Sequence, residues 1–544
     1  MKQANIQQFF HFTIGPVQGF VAQARRTRDF WAGSFILSWL SAVAMWAVEK
    51  QGGEVLFPKP DKDFMTALER GGKGPEQGTV PNRFKAEVSG DFDPAEVERT
   101  VRAVWAALAE HVWHADLAPT AGADTHAVWE RQIPAFWDMQ WALVDDETTT
   151  NTLDRMKNWR THLAPDEPGV KCMMMDGWQE LSGKAAPGRR PDDPNGPGRF
   201  WADLREIGSH GMRTDLRDGE MLCAMAFVKR RFARHFPSFR HAVPERGTLC
   251  GWRLPKGVPS VQYMAAAPWL AALIERANRD DRIDEALWDF HDLAYGLTGE
   301  YGEWNSNIRC VAAAIETKPG QKKWSALDGG VFFDSVLENA RLWDDRRDQA
   351  RDLLRDLKSL RNQAGLAPVS PFYAALLMDG DELGMHMSGG KKKQEAITNG
   401  LASFTGAVPR IVAEHSGFLV YAGGDDVLAL LPLEYAMSCA LALRAHYLSC
   451  FDPKLIPTTL SGAIEYAHVK MSLGKVLHDA HDLLDRVAKD GRGRDALACR
   501  IWKPGGRAIE WAMPWRCCAP DGAQVEAFSD LGPDAVVQAS ETRR

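Results

Sequence analysis

A chain of 544 residues with 45% hydrophobic and 25% charged content is sized for roughly three or four domains of an ordinary globular protein, not a fibrous or disordered one. A formal net charge of −7 excludes a broad basic footprint for nucleic acid, so any RNA must be met through local patches or partner subunits. Nine cysteines without a single CxxC exclude a zinc ribbon or thioredoxin-like site, and fit a reducing cytoplasm.

The opening MKQANIQQFFHF lacks the form of a signal peptide, and the apolar run Phe35–Val48 is shorter than the about 20 residues that span a bilayer. A cytoplasmic protein without a membrane segment is the expectation. Phe9–Ile14 alternates as a strand and stops at Gly15-Pro16. Val17–Trp46 reads as helix, with Arg25, Arg26 and Arg28 near Phe30 and Trp31. That group suits either phosphate and RNA or a plain solvated helix face. Val55–Pro60 and Val80–Phe84 look like strand and turn pieces of the same domain, and Pro94–Trp141 carries helical periodicity.

Ser182–Arg199 is so dense in Pro and Gly that an exposed or disordered loop is expected. Cys172, Cys223, Cys250 and Cys310 have no ligand spacing and read as buried thiols. Leu204–Gly365 reads as largely helical, interrupted around Val243–Val258. Within it Lys229, Arg230, Arg231, Arg234 and Arg240 interleave with Phe232 and Phe236. The cluster is either the solvated face of an amphipathic helix or a surface for RNA or a neighbouring subunit. Arg341–Arg361 repeats Arg and Asp at helical spacing, which predicts an exposed helix.

The chemistry is concentrated further on. Tyr373–Gly384 is an apolar strand running into Asp379-Gly380-Asp381, and Phe418–Pro432 (FLVYAGGDDVLALLP) is two apolar runs joined at Gly423-Gly424-Asp425-Asp426. Asp379 and Asp425 are 46 residues apart, with a helix over Ala396–Phe404 between them. Strand, helix and hairpin in this order begin a palm-type ferredoxin-like domain, in which the first strand's end and the hairpin tip lie side by side. Asp379, Asp425 and Asp426 would then clasp Mg²⁺ or Mn²⁺ carrying nucleotide phosphates, since such ions take one or two carboxylates plus phosphate oxygens. The alternative for each motif is an ordinary polar turn. Gly389–Lys393 is either a second phosphate contact or a loop into the helix. Thr459–His468 alternates as a further strand and Leu473–Lys489 as an amphipathic helix. The His-Asp pairs at 291–292, 478–479 and 481–482 lack accompanying ligands and predict no nuclease.

The pair DGDELG and YAGGDD resembles the catalytic palm of the large subunit of type III CRISPR effector complexes, the tenth Cas protein, in its Cmr (III-B) form. Further matches are FTIGPVQGFVAQARRTRDFWAGS (Phe12–Ser34), VPNRF (Val80–Phe84), GEMLCAMAFVKR (Gly219–Arg230), SGAIEYAHVKMSL (Ser461–Leu473) and AKDGRGR (Ala488–Arg494). The resemblance implies an α+β chain of two palm domains with an intervening helical domain. The expected division is a silent first palm over 1–203, a helical domain over 204–367, an acidic palm over 368–507 and a tail over 508–544. It implies synthesis of cyclic oligoadenylates from ATP, with Asp379, Asp425 and Asp426 as catalytic metal ligands. Gly380, Asp381, Gly384, Gly423 and Gly424 are placed at the nucleotide, and Lys489 reaches its triphosphate. It implies other Cmr subunits, guide RNA and target RNA as partners, and activity dependent on matched RNA. Relatives carry a zinc element near Cys172 and an N-terminal HD nuclease; neither zinc nor nuclease activity is expected here. A purely structural subunit, a product joining ATP to S-adenosylmethionine and a free-standing diguanylate cyclase are the competing readings.

Overall fold

The computed structural model describes residues 7–146, 152–153, 165–184, 196–207, 211–254, 257–298, 308–316, 327–343, 346–387, 389–503 and 505–518, and divides into two compact units, Met1–Lys256 and Gly257–Arg544. Most of the expected loop at 182–199 and of the tail lies outside the described residues.

In the first unit, strands β1 (Gln8–Gly15), β2 (Glu54–Phe57), β3 (Arg83–Val88) and β4 (Asp138–Val144) form one sheet of order β2-β3-β1-β4. Every neighbouring pair is antiparallel. Helices α1 (Thr27–Glu49) and α2 (Pro94–Val112) connect them in the β-α-β-β-α-β order of a ferredoxin-like fold. The aromatic alternation of β1 explains its central place: Phe10 and Phe12 are buried, and the Phe12 ring lies 5.3 Å from that of Phe84 on β3. Helix α2 starts where Asp93 caps the amide of Ala95 and Pro94 takes the first helical position.

Two expectations change here. The run Pro94–Trp141 is not helical throughout, because β4 occupies its end. Its periodicity is weak, and its place is decided by a seven-residue ladder with β1. Helix α1 is 23 residues long and apolar enough for a membrane span, which the shorter apolar run did not suggest. Its most apolar window is entirely buried inside the unit, so it serves as a core helix. Helix α3 (Ala224–His235) packs against α1 and α2, and a ribbon pairs Arg240–Val243 with Gly247–Cys250. Residues up to 256 therefore group with the first palm, not with a helical domain beginning at 204.

The second unit begins with α4 (Val261–Ala277), α5 (Asp281–Thr298), α6 (Arg309–Glu316) and α7 (Arg347–Gln363). Its sheet comprises β5 (Phe372–Asp381), β6 (Phe418–Gly423), β7 (Asp426–Pro432), β8 (Thr459–His468), β9 (Ala496–Lys503) and β10 (Gly506–Pro514). The order is β6-β7-β5-β8-β9-β10. The first four strands repeat the topology of the first unit, with α8 (Lys391–Glu414) and α9 (Ala436–Ser449) as the crossovers. The helix over Ala396–Phe404 is thus the middle of a longer one. Strand β9 joins β8 in parallel and β10 pairs back on it, so the sheet continues beyond Arg507 to Pro514. Helix α10 (Leu473–Asp482) continues as a π-type segment, Leu483–Asp490, that leads into β9.

Candidate active site

Strand β5 lies between β7 and β8, and its apolar residues Tyr373–Met378 are buried. Asp379, Gly380 and Asp381 close the strand opposite Ser461, Leu460 and Thr459 of β8. On the other side β7 pairs as far as Val427 opposite Met378, so Asp426 comes next to Asp379. The β6–β7 turn consists of Gly424 and Asp425, closed by Gly423 opposite Asp426. Gly424 has φ +68°, the left-handed value that the first central position of such a two-residue turn requires.

The Asp425 side chain lies against Gly380. A Cβ at Gly380 would come within 2.6 Å of the Asp425 Oδ2 and 2.7 Å of the Tyr447 hydroxyl, so glycine here makes room for the acid. At Gly423 the space is taken by the Tyr421 ring. Burial, and then the charges of Asp426 and Asp381, push the Asp425 carboxyl up to about 7. Burial pushes Asp426 up to about 6, against the opposing pull of His481. Two acids on a tight tip therefore have a raised affinity for a positive charge.

The remaining expected site residues separate into different roles. Asp381 is 2% exposed, and its carboxylate accepts from Thr459 Oγ1 at 2.7 Å, Ser461 Oγ at 2.9 Å and the Asp495 amide at 3.1 Å. Its expected place at the nucleotide is corrected: the side chain is used up in tying β5 to β8 and to the Asp495 backbone. Gly384 sits in a short turn of helix, where an added Cβ meets nothing within 4 Å. That position does not demand glycine. Lys489, in the π-type segment, pairs its ammonium with the Asp379 carboxylate. Burial, and then Arg494, push this lysine down to about 8. The side chain expected to await a triphosphate here engages one of the acids.

Among the described residues no set of three or more His, Cys, Asp or Glu side chains is arranged to grip a metal ion. The acids meet on one sheet edge, but Asp379 is engaged with Lys489 and Asp425 is turned against Gly380.

The sequence reading missed His481 and Tyr447. His481 on α10 faces Asp426 and Asp485 electrostatically, and burial pushes its imidazole down. The spacing of four through His481, Asp485 and Lys489 was the available signal, since residues at that interval share a helix face. Tyr447 on α9 hydrogen-bonds Thr458 at 3.0 Å beside the Gly380 position, and nothing in its local sequence marks it.

In the first unit the basic clusters are internal in large part, although Arg234 is only partly buried against Asp215 and Arg240 is exposed. Lys229, Arg230 and Arg231 are all buried. Arg230 pairs with Asp29 at 2.5 Å and Glu220 at 2.7 Å, and Arg231 with Asp116 at 2.7 Å and Asp215 at 2.6 Å. Arg28 reaches Asp215 at 2.5 Å and Arg26 reaches Glu220 at 3.2 Å. Lys229 donates to the carbonyls of Phe20 and Gln23. For the buried members, Arg28 and Lys229 to Arg231, the reading as an RNA or phosphate surface is therefore corrected; Arg25 and Arg240 stay exposed. Arginine forks bind α3 to the start of α1 and to the segment around Asp215, and only Arg25 of the first cluster keeps substantial exposure, 47%.

A family profile described as Cas10/Cmr2, second palm domain, matches residues 372–498, and one described as CRISPR-associated protein Cmr2, N-terminal, matches residues 9–110. The chain is 31% identical over 222 residues to the CRISPR system Cmr subunit Cmr2 of Pyrococcus furiosus, covering 35% of this chain and spanning 26% of that relative's length. Two solved structures of type III-B Cmr-beta share the fold. The apo state matches with TM-score 0.58 at 13% identity, over 94% of this chain and 71% of that chain. The state bound to cognate target RNA matches with TM-score 0.62 at 14% identity, over 94% and 72%.

Proposed function

We propose, for a chain that belongs to the Cas10/Cmr2 family of type III-B CRISPR large subunits, that its second palm joins ATP molecules into cyclic oligoadenylates when an assembled complex meets target RNA. The observation that carries the reading is the meeting of Asp379, Asp425 and Asp426 at one sheet edge around the bare backbone of Gly380. Paired acids with raised proton affinity are a donor set that Mg²⁺ or Mn²⁺ neutralises, and their hard carboxylate oxygens are the ligands these ions take. Asp425, Asp426 and, once released by Lys489, Asp379 would hold the ion. When bound, it supplies charge neutralisation at the reacting phosphate and a lowered pKa for an attacking ribose hydroxyl.

The chain's own residues position the substrate. Gly424, at which an added Cβ meets nothing within 4 Å, leaves the turn open to a triphosphate, and Lys489, on leaving Asp379, offers its ammonium to the phosphates. Asp381, fixed by Thr459, Ser461 and Asp495, holds the end of β5 in place beneath them. Little further acid–base apparatus is needed where positioning and charge supply the catalysis. The partners are other Cmr-type subunits, which carry the guide RNA and present the target.

A second reading, a scaffold subunit with an idle palm, draws on the Lys489–Asp379 pair, which already neutralises one acid. One experiment separates the two. The assembled complex with matched RNA and Mg²⁺ is expected to consume ATP and release oligoadenylate, and the Asp425→Ala/Asp426→Ala complex is expected to lose at least about a hundredfold in rate. Equal turnover by both proteins overturns the site assignment, and no turnover by either favours the scaffold.

A further inference from the structure

The first unit contains a chemical group that the proposed activity does not use. Cys172 and Cys223 are 51 residues apart in sequence and carry no spacing signal, yet the fold brings them together. A small hairpin at 171–179 is stitched to the strand-like approach to α3 by two backbone bonds, Met173 N–H to the Met221 carbonyl at 2.9 Å and Leu181 N–H to the Leu222 carbonyl at 3.0 Å. Cys172 directly precedes Met173 and Cys223 directly follows Leu222, so these bonds bring the two cysteines side by side. Cys223 is the N-cap of α3, and its thiol lies near enough to the Cys172 sulfur for each to shift the other's ionisation. Cys223 is fully buried and Cys172 keeps 7% exposure.

The surroundings treat the two sulfurs differently. The amides of Met174 and Met175 both point at the Cys172 sulfur, at 3.4 and 3.3 Å. Burial pushes the Cys172 thiol up, but the neighbouring Cys223 and these two amides outweigh it and leave the net direction downward. Burial, reinforced by Cys172, pushes Cys223 well up. The Lys229 ammonium, three residues from the end of the turn that Cys223 begins, lies within electrostatic reach of both sulfurs. The two amides thus favour negative charge on the Cys172 sulfur while burial disfavours it on Cys223, which makes Cys172 the attacking and Cys223 the resolving member of a dithiol.

We propose that Cys172 and Cys223 are a redox pair that closes reversibly into an intramolecular disulfide. Cys172 gives up its proton and, as the thiolate, attacks one sulfur of a small external disulfide to form a mixed disulfide, releasing one equivalent of small thiolate that takes up a proton. Cys223 then gives up its proton and attacks the Cys172 sulfur, expelling the second equivalent. The protein loses two electrons and two protons, and the external disulfide is reduced to two thiols. The bridge would tie the 171–179 hairpin covalently to the start of α3, the helix whose arginines organise the buried charges of this unit. Its formation would therefore report oxidising conditions through the rigidity of the first unit, apart from the acidic palm.

The test uses the full chain, folded and free of reductant, treated with oxidised glutathione or diamide and then alkylated in denaturant. Peptide mapping is expected to find Cys172 joined to Cys223 in a species lighter by two hydrogen atoms, with two alkylation sites lost. The unfolding midpoint is expected to rise, and dithiothreitol to reverse both changes. The Cys223→Ser chain should instead hold glutathione on Cys172 as a stable mixed disulfide. If the single variant does not fold, the wild-type map alone decides. Both thiols remaining free while Cys517 reacts, a stable mixed disulfide on wild-type Cys172, or a bridge to any other cysteine overturns the proposal.

Discussion

The Lys489 ammonium closes on the Asp379 carboxylate, so the acid at the end of β5 already carries a counter-charge from the segment that follows α10. This pair couples two parts of the site that would otherwise act independently. A lysine bound to the acid blocks a cation, and a lysine released from it is free for phosphate. Lys489→Met is therefore expected to split two measurements. Binding of Mn²⁺ without nucleotide tightens, because Asp379 loses its competitor. The KM for ATP rises about tenfold, the effect of one lost charge-assisted hydrogen bond. Calorimetry with Mn²⁺ and ATP kinetics check the two arms, and a weakened Mn²⁺ affinity contradicts the coupling.

Two glycines in the same motif should respond differently. In Gly380→Ala the new methyl meets Asp425 and the Tyr447 hydroxyl at 2.6–2.7 Å, and the hairpin tip must shift. The expected cost is about 1–3 kcal/mol of stability. Turnover is expected to fall by about a hundredfold, the effect of a displacement near 1 Å. Gly384→Ala adds a methyl into open space and should change neither quantity appreciably. Equal effects at the two positions, read by urea unfolding and ATP turnover, count against the assigned geometry.

The buried charge network gives the first unit a predictable response to acid. Asp116 is held at about 2: burial opposes its charge, but the bonds from His235 and Arg231 outweigh it. Glu220 is likewise held at about 2, with Arg230 the main opponent of burial. Both folded values lie below the unfolded ones, so their contribution is complete above about pH 4.3 and is lost as pH falls through about 2. Each acid accounts for roughly 2–3 kcal/mol. The unfolding midpoint should fall steeply between about pH 4 and 2, and Asp116→Asn should remove about a quarter of that slope, because Asp29 and Asp215, also held low by their arginines, share it with Glu220. A wild-type midpoint that stays flat over the interval refutes the network's contribution.

Control by RNA is tested by comparing ATP turnover in three states: the isolated chain, the assembled complex, and the complex with matched target. The expected order is slow, slow and fast, since catalysis that rests on positioning responds to small relative movements. Because the arginines at Arg26, Arg28, Arg230 and Arg231 are spent on internal acids, the isolated chain is not expected to bind RNA tightly through them. Equal rates in all three states remove the regulatory reading and leave the acidic site standing.

The sequence by itself determined the acidic palm. The strand at Tyr373–Asp381, the hairpin tip at Gly424-Asp425 and the strand at Thr459–His468 were legible because each is a local pattern. Apolar alternation, a glycine turn and a stop are decided within about ten residues. Strand β4 was not, because its weak alternation becomes a strand only when β1 offers it a ladder. The same limit applies to charge. Lys229–Arg231 reads as a basic patch in one dimension, and only the approach of Asp29, Asp116, Asp215 and Glu220 from distant segments makes it a core. Asp381 looks like its neighbour Asp379, yet one is bound by Thr459 and Ser461 and the other by Lys489. The pairing of Cys172 with Cys223 has no local trace at all. Spacing along the chain reports which groups are available, whereas burial and partners, which set what a charge or thiol does, exist only once separate segments have been packed together.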